Sequence, residues 1–210
     1  MDEFRTDDAR TREFYAEAFR QYGPSVQSLG WSGGETQLLR FRKLTEVGPM
    51  DGASLLDVGC GLGDLNAWLK EQGSRTHYTG IDSNPDFVRI TSSKFPDATV
   101  HLGEFLDDLG EAGLDTGRFD YVVASGIFTF RTVQPAEYLA AAVQKMFRLA
   151  RIGVAFNVLS TWGDFHRDTD FEAEPADVLS ICRRFTRWIV LRHDYHPRDF
   201  TVYLYHQARG

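Results

Sequence analysis

The sequence predicts an α/β protein with a mostly parallel, doubly wound sheet of seven strands that ends in an antiparallel hairpin. Three observations predict it. The apolar run Leu55, Leu56, Val58 breaks into Gly59-Cys60-Gly61-Leu62-Gly63, and helical spacing follows at once through Leu65, Trp68 and Leu69. A second run, Thr79-Gly80-Ile81-Asp82-Ser83-Asn84, ends in an acid about 20 residues past that loop, the spacing at which a carboxylate meets ribose hydroxyls in nucleotide-binding folds. Two final strand-like runs, 187–193 and 200–206, are joined only by Asp194–Asp199. A parallel crossover needs about a dozen residues or more, so this pair must be antiparallel. Together these features describe a Rossmann-like architecture.

Size and composition bound the reading. The chain has 210 residues, 42% hydrophobic and 25% charged, which suits one soluble domain with a full core. A net charge of −7 argues against nucleic-acid and anionic-membrane partners, which select a basic face. Cys60 and Cys182 form neither a disulfide framework nor a metal-ligand set. No signal segment and no membrane-spanning apolar run is apparent, so a cytoplasmic location is expected.

Taken in order, residues 7–22 read as a helix with Phe14, Ala18 and Tyr22 on one stripe, widened by Tyr15 and Phe19, and closed by Gly23-Pro24. A loop carrying Trp31 follows, then a helix over 37–44 that buries Leu38, Phe41 and Leu44. Residues 1–48 are thus a helical extension, suited to act as a lid or simply to pack on the core, and 49–210 the main domain. Gly73 closes the helix of 64–72, Pro85 opens the next, and Thr99–Phe105 is the third strand. Phe119–Phe128 is the fourth strand with its exit, Pro135 opens a long helix, and Ile152–Leu159 is a strand buried on both faces. Ser160–Pro175 reads as a long polar insertion with Trp162, Phe165, His166 and Phe171, and 175–185 as a short helix.

The loop itself narrows the ligand. A dinucleotide fingerprint wants a third glycine where this chain has Asp64, and an acid in the first helical turn repels a pyrophosphate. A ligand without phosphates, lying on the backbone with helix-terminal N–H groups facing it, fits better. Here Leu56-Asp57-Val58-Gly59-Cys60-Gly61-Leu62-Gly63, with Asp82, resembles the class I S-adenosylmethionine-dependent methyltransferases. The resemblance covers roughly residues 50–160 and implies S-adenosylmethionine as methyl donor. It places Asp57, Gly59, Cys60, Gly61, Gly63, Asp82 and Ser83 around the nucleoside, with Glu104 as the acid for the adenine amine and Phe105 against the ring. Asp107 and Asp108 remain alternatives to Glu104. Arg40 is the candidate for the methionine carboxylate, since a guanidinium grips a carboxylate through two parallel bonds.

Strand exits in an open parallel sheet flank the ligand cleft, so Ser125 and Phe128 are expected to line it, with Trp31 and Trp162 as further acceptor contacts. The acidic-Pro-Pro-aromatic tetrapeptide of nucleic-acid and amide N-methyltransferases is absent at Ala124-Ser125-Gly126-Ile127. A base is needed only for an acceptor that keeps its proton; His166, His193 and the Asp194-Tyr195 pair are the candidates. The expected function is methyl transfer to an O or N atom of a small molecule. The alternatives are a nicotinamide-dependent oxidoreductase and a non-catalytic S-adenosylmethionine-binding protein.

Overall fold

Strand-forming runs that are apolar on both faces nucleate the centre of the sheet. In the computed structural model, which describes residues 5–29, 33–107 and 114–209, they are β1 (Ser54–Val58), β4 (Phe119–Ala124) and β5 (Ala150–Ser160). Around them lie β2 (His77–Asp82), β3 (Thr99–Leu102), β6 (Glu172–Ala173), β7 (Trp188–His196) and β8 (Asp199–Tyr205). The helices are α1 (Arg5–Tyr22), α2 (Gly34–Thr45), α3 (Asp64–Glu71), α4 (Pro85–Lys94), α5 (Pro135–Leu149) and α6 (Pro175–Cys182). A 3-10 turn, Val26–Leu29, follows α1.

The strand order is β3-β2-β1-β4-β5-β8-β7, with β6 paired to the end of β5. Pairs from β3 through β5 are parallel, whereas β8 runs antiparallel to both β5 and β7. The hairpin inferred from loop length is present, and tighter than expected: the strands extend to His196 and resume at Asp199. The order reverses between β1 and β4, so their carboxyl ends open the crevice where ligands bind in such sheets.

Side chains alternate across the sheet with the two-residue period of a strand. Leu56, Val58, Val122, Phe156 and Val202 face α5 and α6. Leu55, Tyr121, Val123, Ala155 and Tyr203 face the other way, in one cluster with Phe41 and Leu44 of α2 and Leu65 and Leu69 of α3. Helix α2 therefore belongs to the main core, although it lies in the segment read as an extension. Helix α1 sits differently: Tyr15 and Phe19 pack on Phe87 of α4, Phe14 on Phe130, and Tyr22 is half exposed.

Two strand boundaries that border the cavity differ from the sequence reading. The third strand stops at Leu102 and the fourth at Ala124, because the chain turns there to form the cavity wall. The polar insertion is not wholly irregular, since Glu172 and Ala173 add a short eighth strand beside Leu159 and Ser160.

Candidate active site

The turn after β1 is built by glycines that nothing else replaces. Gly59 has φ +71°, and a Cβ there would lie 2.4 Å from Ile127 Cγ2. Gly63 (φ +72°) is the N-cap of α3, and a Cβ would strike Thr91 and Phe95 of α4. It is a packing glycine, and it does not line the cavity. Cys60 is buried, and its Sγ fills the space left by Gly80 on the neighbouring strand.

The loop spends its own N–H groups. Gly59 and Cys60 donate to Ile81 O at 2.9 and 3.1 Å, Gly63 to Cys60 O at 3.0 Å, and Gly61 to Asp82 Oδ2 at 2.8 Å. These are turn amides, and the helix-terminal N–H groups of α3 from Asp64 onward are not among them. Those four are unavailable to an anion, which agrees with a ligand that brings no phosphate to this turn.

Asp82 holds two loops at once, accepting from Gly61 N and, through Oδ1, from Asn84 N at 2.9 Å. The helix cap is the neighbouring Asn84, whose Oδ1 accepts from Asp86 N and Phe87 N. Burial raises the Asp82 pKa, and its backbone hydrogen bonds oppose the rise. Asp57, beneath the loop, accepts from the Tyr78 hydroxyl at 2.7 Å. Burial lifts it from 3.8 to about 7 against that hydrogen bond, aided by the charges of Asp82 and Asp64.

A cavity of about 350 Å³ opens above these residues, within the range of small-molecule sites. One end is formed by Asp57, Gly59, Cys60, Gly61, Asp82, Ser83, Glu104 and Phe105, which the sequence reading grouped. Ser125 lines it too, with a buried Oγ that has no hydrogen-bond partner. Glu104 pairs with Arg12 of α1 at 2.8 Å, so α1 reaches across the cavity. Tyr15 also lines it; burial, then the charges of Asp82 and Asp170, push its phenol up to about 12.

The far end is lined by Phe130, Thr132, Arg167, Asp170 and Arg198, and two of these, Arg167 and Asp170, stand in the polar insertion read from the sequence. Asp170 accepts from Arg198 at 3.1 Å, and Arg198 also reaches Glu172 at 2.8 Å. These residues meet only when β5, β6 and the β7–β8 turn are assembled, and no local motif marks them.

Several expectations are corrected. Arg40 lines the cavity, but its guanidinium engages buried Asp199 of β8. Phe128 turns into the core against Phe156 and Tyr138, leaving Ser125, Gly126 and Ile127 on the cavity. Trp162 is 60% exposed, bonds Glu174 through Nε1 and packs on His193, away from the cavity. His193 sits between Trp162 and Phe200 on the edge hairpin, and His166 pairs with Glu172 at the surface. Neither histidine lines the cavity. Trp31 lies outside the described residues.

Comparison with known proteins decides the family. Residues 56–156 match the methyltransferase domain family. The chain is 32% identical over 163 residues to the Mycobacterium tuberculosis protein Rv1506c, itself named only provisionally as a methyltransferase; the match spans 74% of this chain and 95% of that one. The chain belongs to the class I S-adenosylmethionine-dependent methyltransferases. The fold is shared with the magnesium protoporphyrin IX methyltransferase of Synechocystis bound to S-adenosylhomocysteine, at TM-score 0.65, 16% identity, and 93% and 98% coverage of the two chains. It is also shared with a TehB-like methyltransferase of Corynebacterium glutamicum, at TM-score 0.61, 17% identity, and 93% and 97% coverage. S-adenosylmethionine is the methyl donor of this methyltransferase. The orphaned Ser125 hydroxyl and the phosphate-free geometry of the glycine turn fit that donor. Among the described residues, no helix is long and apolar enough to cross a membrane.

Proposed function

We propose that this methyltransferase acts in the cytoplasm on an O or N atom of a small-molecule acceptor, and binds both partners in one cleft. The observation that carries this reading is the continuity of the cavity. Glycine turn and Asp82 form one end, and Phe130, Thr132 and Arg167 the other, under Phe14 and Tyr15 of α1. Bound S-adenosylmethionine supplies an activated methyl on its sulfonium. Asp82 accepts from the ribose hydroxyls, Glu104 faces the adenine amine, and Phe105 packs on the ring. Aromatic side chains of α1 exclude water and hold the acceptor in line. Arg40, tied to Asp199, positions the β8 end of the wall. The acidic surface suits a small acceptor rather than nucleic acid or a membrane.

The test is transfer of label from methyl-tritiated S-adenosylmethionine to a metabolite extract. Label is expected in the low-mass fraction. Label confined to protein or nucleic acid contradicts the small-molecule reading.

A further inference from the structure

We infer that the acceptor is a small aryl or otherwise apolar carboxylic acid, methylated on its carboxylate oxygen to give a methyl ester. The inference rests on the methyltransferase reading of this cavity and deepens it.

The first argument concerns bases. An alcohol or an ammonium acceptor must lose a proton to react, whereas a carboxylate is already ionised at neutral pH. Among the described residues, the cavity lining contains no histidine and no lysine. Its carboxylates are all engaged. Asp57 holds the Tyr78 hydroxyl, and Asp64 takes Gln37 Nε2 at 3.2 Å and Lys94 at 3.6 Å. Asp82 ties the two loops, Glu104 holds Arg12, and Asp170 holds Arg198 and the Thr169 hydroxyl. The cavity is thus poor in groups that accept a proton and well suited to an acceptor that offers none.

The second argument concerns charge. Four of the cavity's acids stand at one end, and its two far-end arginines stand at the other beside Asp170. Asp57, Asp64, Asp82 and Glu104 gather at the cofactor end. S-adenosylmethionine carries a sulfonium and an ammonium against one carboxylate, so a net cation belongs there. The other end carries Arg167 and Arg198. Arg198 spends Nη2 on Asp170 and Glu172, and its buried Nε has no hydrogen-bond partner among the described residues. Arg167 makes no ion pair with a carboxylate among the described residues; its guanidinium lies 5.4 Å from the Phe165 ring centroid. A bidentate donor without a carboxylate, beside an orphaned guanidinium N–H, is the arrangement that selects a planar oxyanion.

The third argument concerns shape. Phe14 and Phe130 pack with ring centroids 5.5 Å apart, and Tyr15 adjoins them, so the wall between the two ends is aromatic. That wall suits the apolar body of the acid.

The step balances without a proton. One carboxylate oxygen forms a bond to the methyl carbon as the carbon–sulfur bond breaks, and its electron pair stays on sulfur. Anion and sulfonium become a neutral ester and a thioether, so a low-dielectric cleft favours the charge-annihilating transition state. Arg167 draws the acid to the cavity rim; in the reacting pose the carboxylate leaves Arg167 and faces the sulfonium methyl.

Two readouts test this. The protein saturated with S-adenosylhomocysteine is titrated calorimetrically with benzoate, phenylacetate and cinnamate, and with benzamide and benzyl alcohol as uncharged counterparts. In parallel, labelled product from the extract is treated with mild alkali, which frees methyl esters as volatile methanol. The expected results are binding of at least one carboxylate but neither uncharged counterpart, tenfold or greater weakening in Arg167→Ala, partial recovery in Arg167→Lys, and alkali-labile label. Arg167 is exposed, so its replacement leaves the core intact. Alkali-stable label, or S-adenosylhomocysteine binding with neither carboxylate binding nor labile label, overturns the ester and leaves the methyltransferase assignment standing. Failure to bind S-adenosylhomocysteine overturns both.

Discussion

Asp57 shows how one residue is both legible and misread. Its place at the end of β1 follows from the motif, but its chemistry comes from burial beneath the turn and from the Tyr78 hydroxyl. The folded chain holds the Asp57 proton up to about pH 7, against 3.8 for an ordinary aspartate. The folded state therefore binds more protons than the unfolded state between those values, and stability falls as pH rises through that window. Asp57→Asn removes the titration and keeps an acceptor for Tyr78. Denaturant titrations should show the variant gaining on the wild type from pH 4 to pH 8, by up to about 4 kcal/mol for a carboxyl lifted from 3.8 to about 7. An equal difference at both pH values would show that Asp57 is not held protonated by burial. Asp82, read from the sequence as the ribose acid, stands on the cavity, and its neighbour Asn84 caps the following helix.

At the scale of elements, the strands and their connections were the legible part. Apolar runs, glycine turns and the short Asp194–Asp199 linker contain their own geometry, so the sheet and hairpin follow from local rules. Contacts between distant elements did not. Arg40 and Asp199 are 159 residues apart, and only the folded sheet reveals their pairing. The pair is part of a chain that runs from α2 to the cavity: Asn157 Nδ2 donates to Asp199 at 3.4 Å, and Asn157 Oδ1 accepts from Gly126 N at 3.1 Å. Removing one partner of a buried pair strands the other charge. Arg40→Ala is expected to cost about 3 kcal/mol or more and to lower Tm by roughly 6–12 °C. Arg40→Met combined with Asp199→Asn should recover much of the loss. Thermal melts of the three proteins check this, and a double variant no better than the single one contradicts it. Phe128 and His193 were misplaced for related reasons. β4 ends early at a turn with Gly126 at φ +82°, which redirects Phe128 into the core, and β7 runs on to His196, which keeps His193 within the edge hairpin.

For the whole molecule, the strand order reverses between β1 and β4, and the cavity lies at the carboxyl ends of these strands. The cofactor end was readable because its residues lie within a few positions of strand ends. The far end was only partly so: the aromatic helix and the polar insertion stood out, but Arg198 comes from the β7–β8 turn and meets Asp170 only in the folded sheet. Helix α1 spans both ends, through Arg12 on Glu104 and Phe14 on Phe130, so the two ends of the cavity share one roof. The central claim is that S-adenosylmethionine lies on the glycine turn against Asp82. Isothermal titration with S-adenosylmethionine and S-adenosylhomocysteine tests it directly, using wild type, Asp82→Ala and, because Asp82 also ties the two loops together, Asp82→Asn. Micromolar binding to the wild type is expected, with a loss of tenfold or more, about 1.4 kcal/mol, in Asp82→Ala. Undiminished binding in both folded variants would contradict the account.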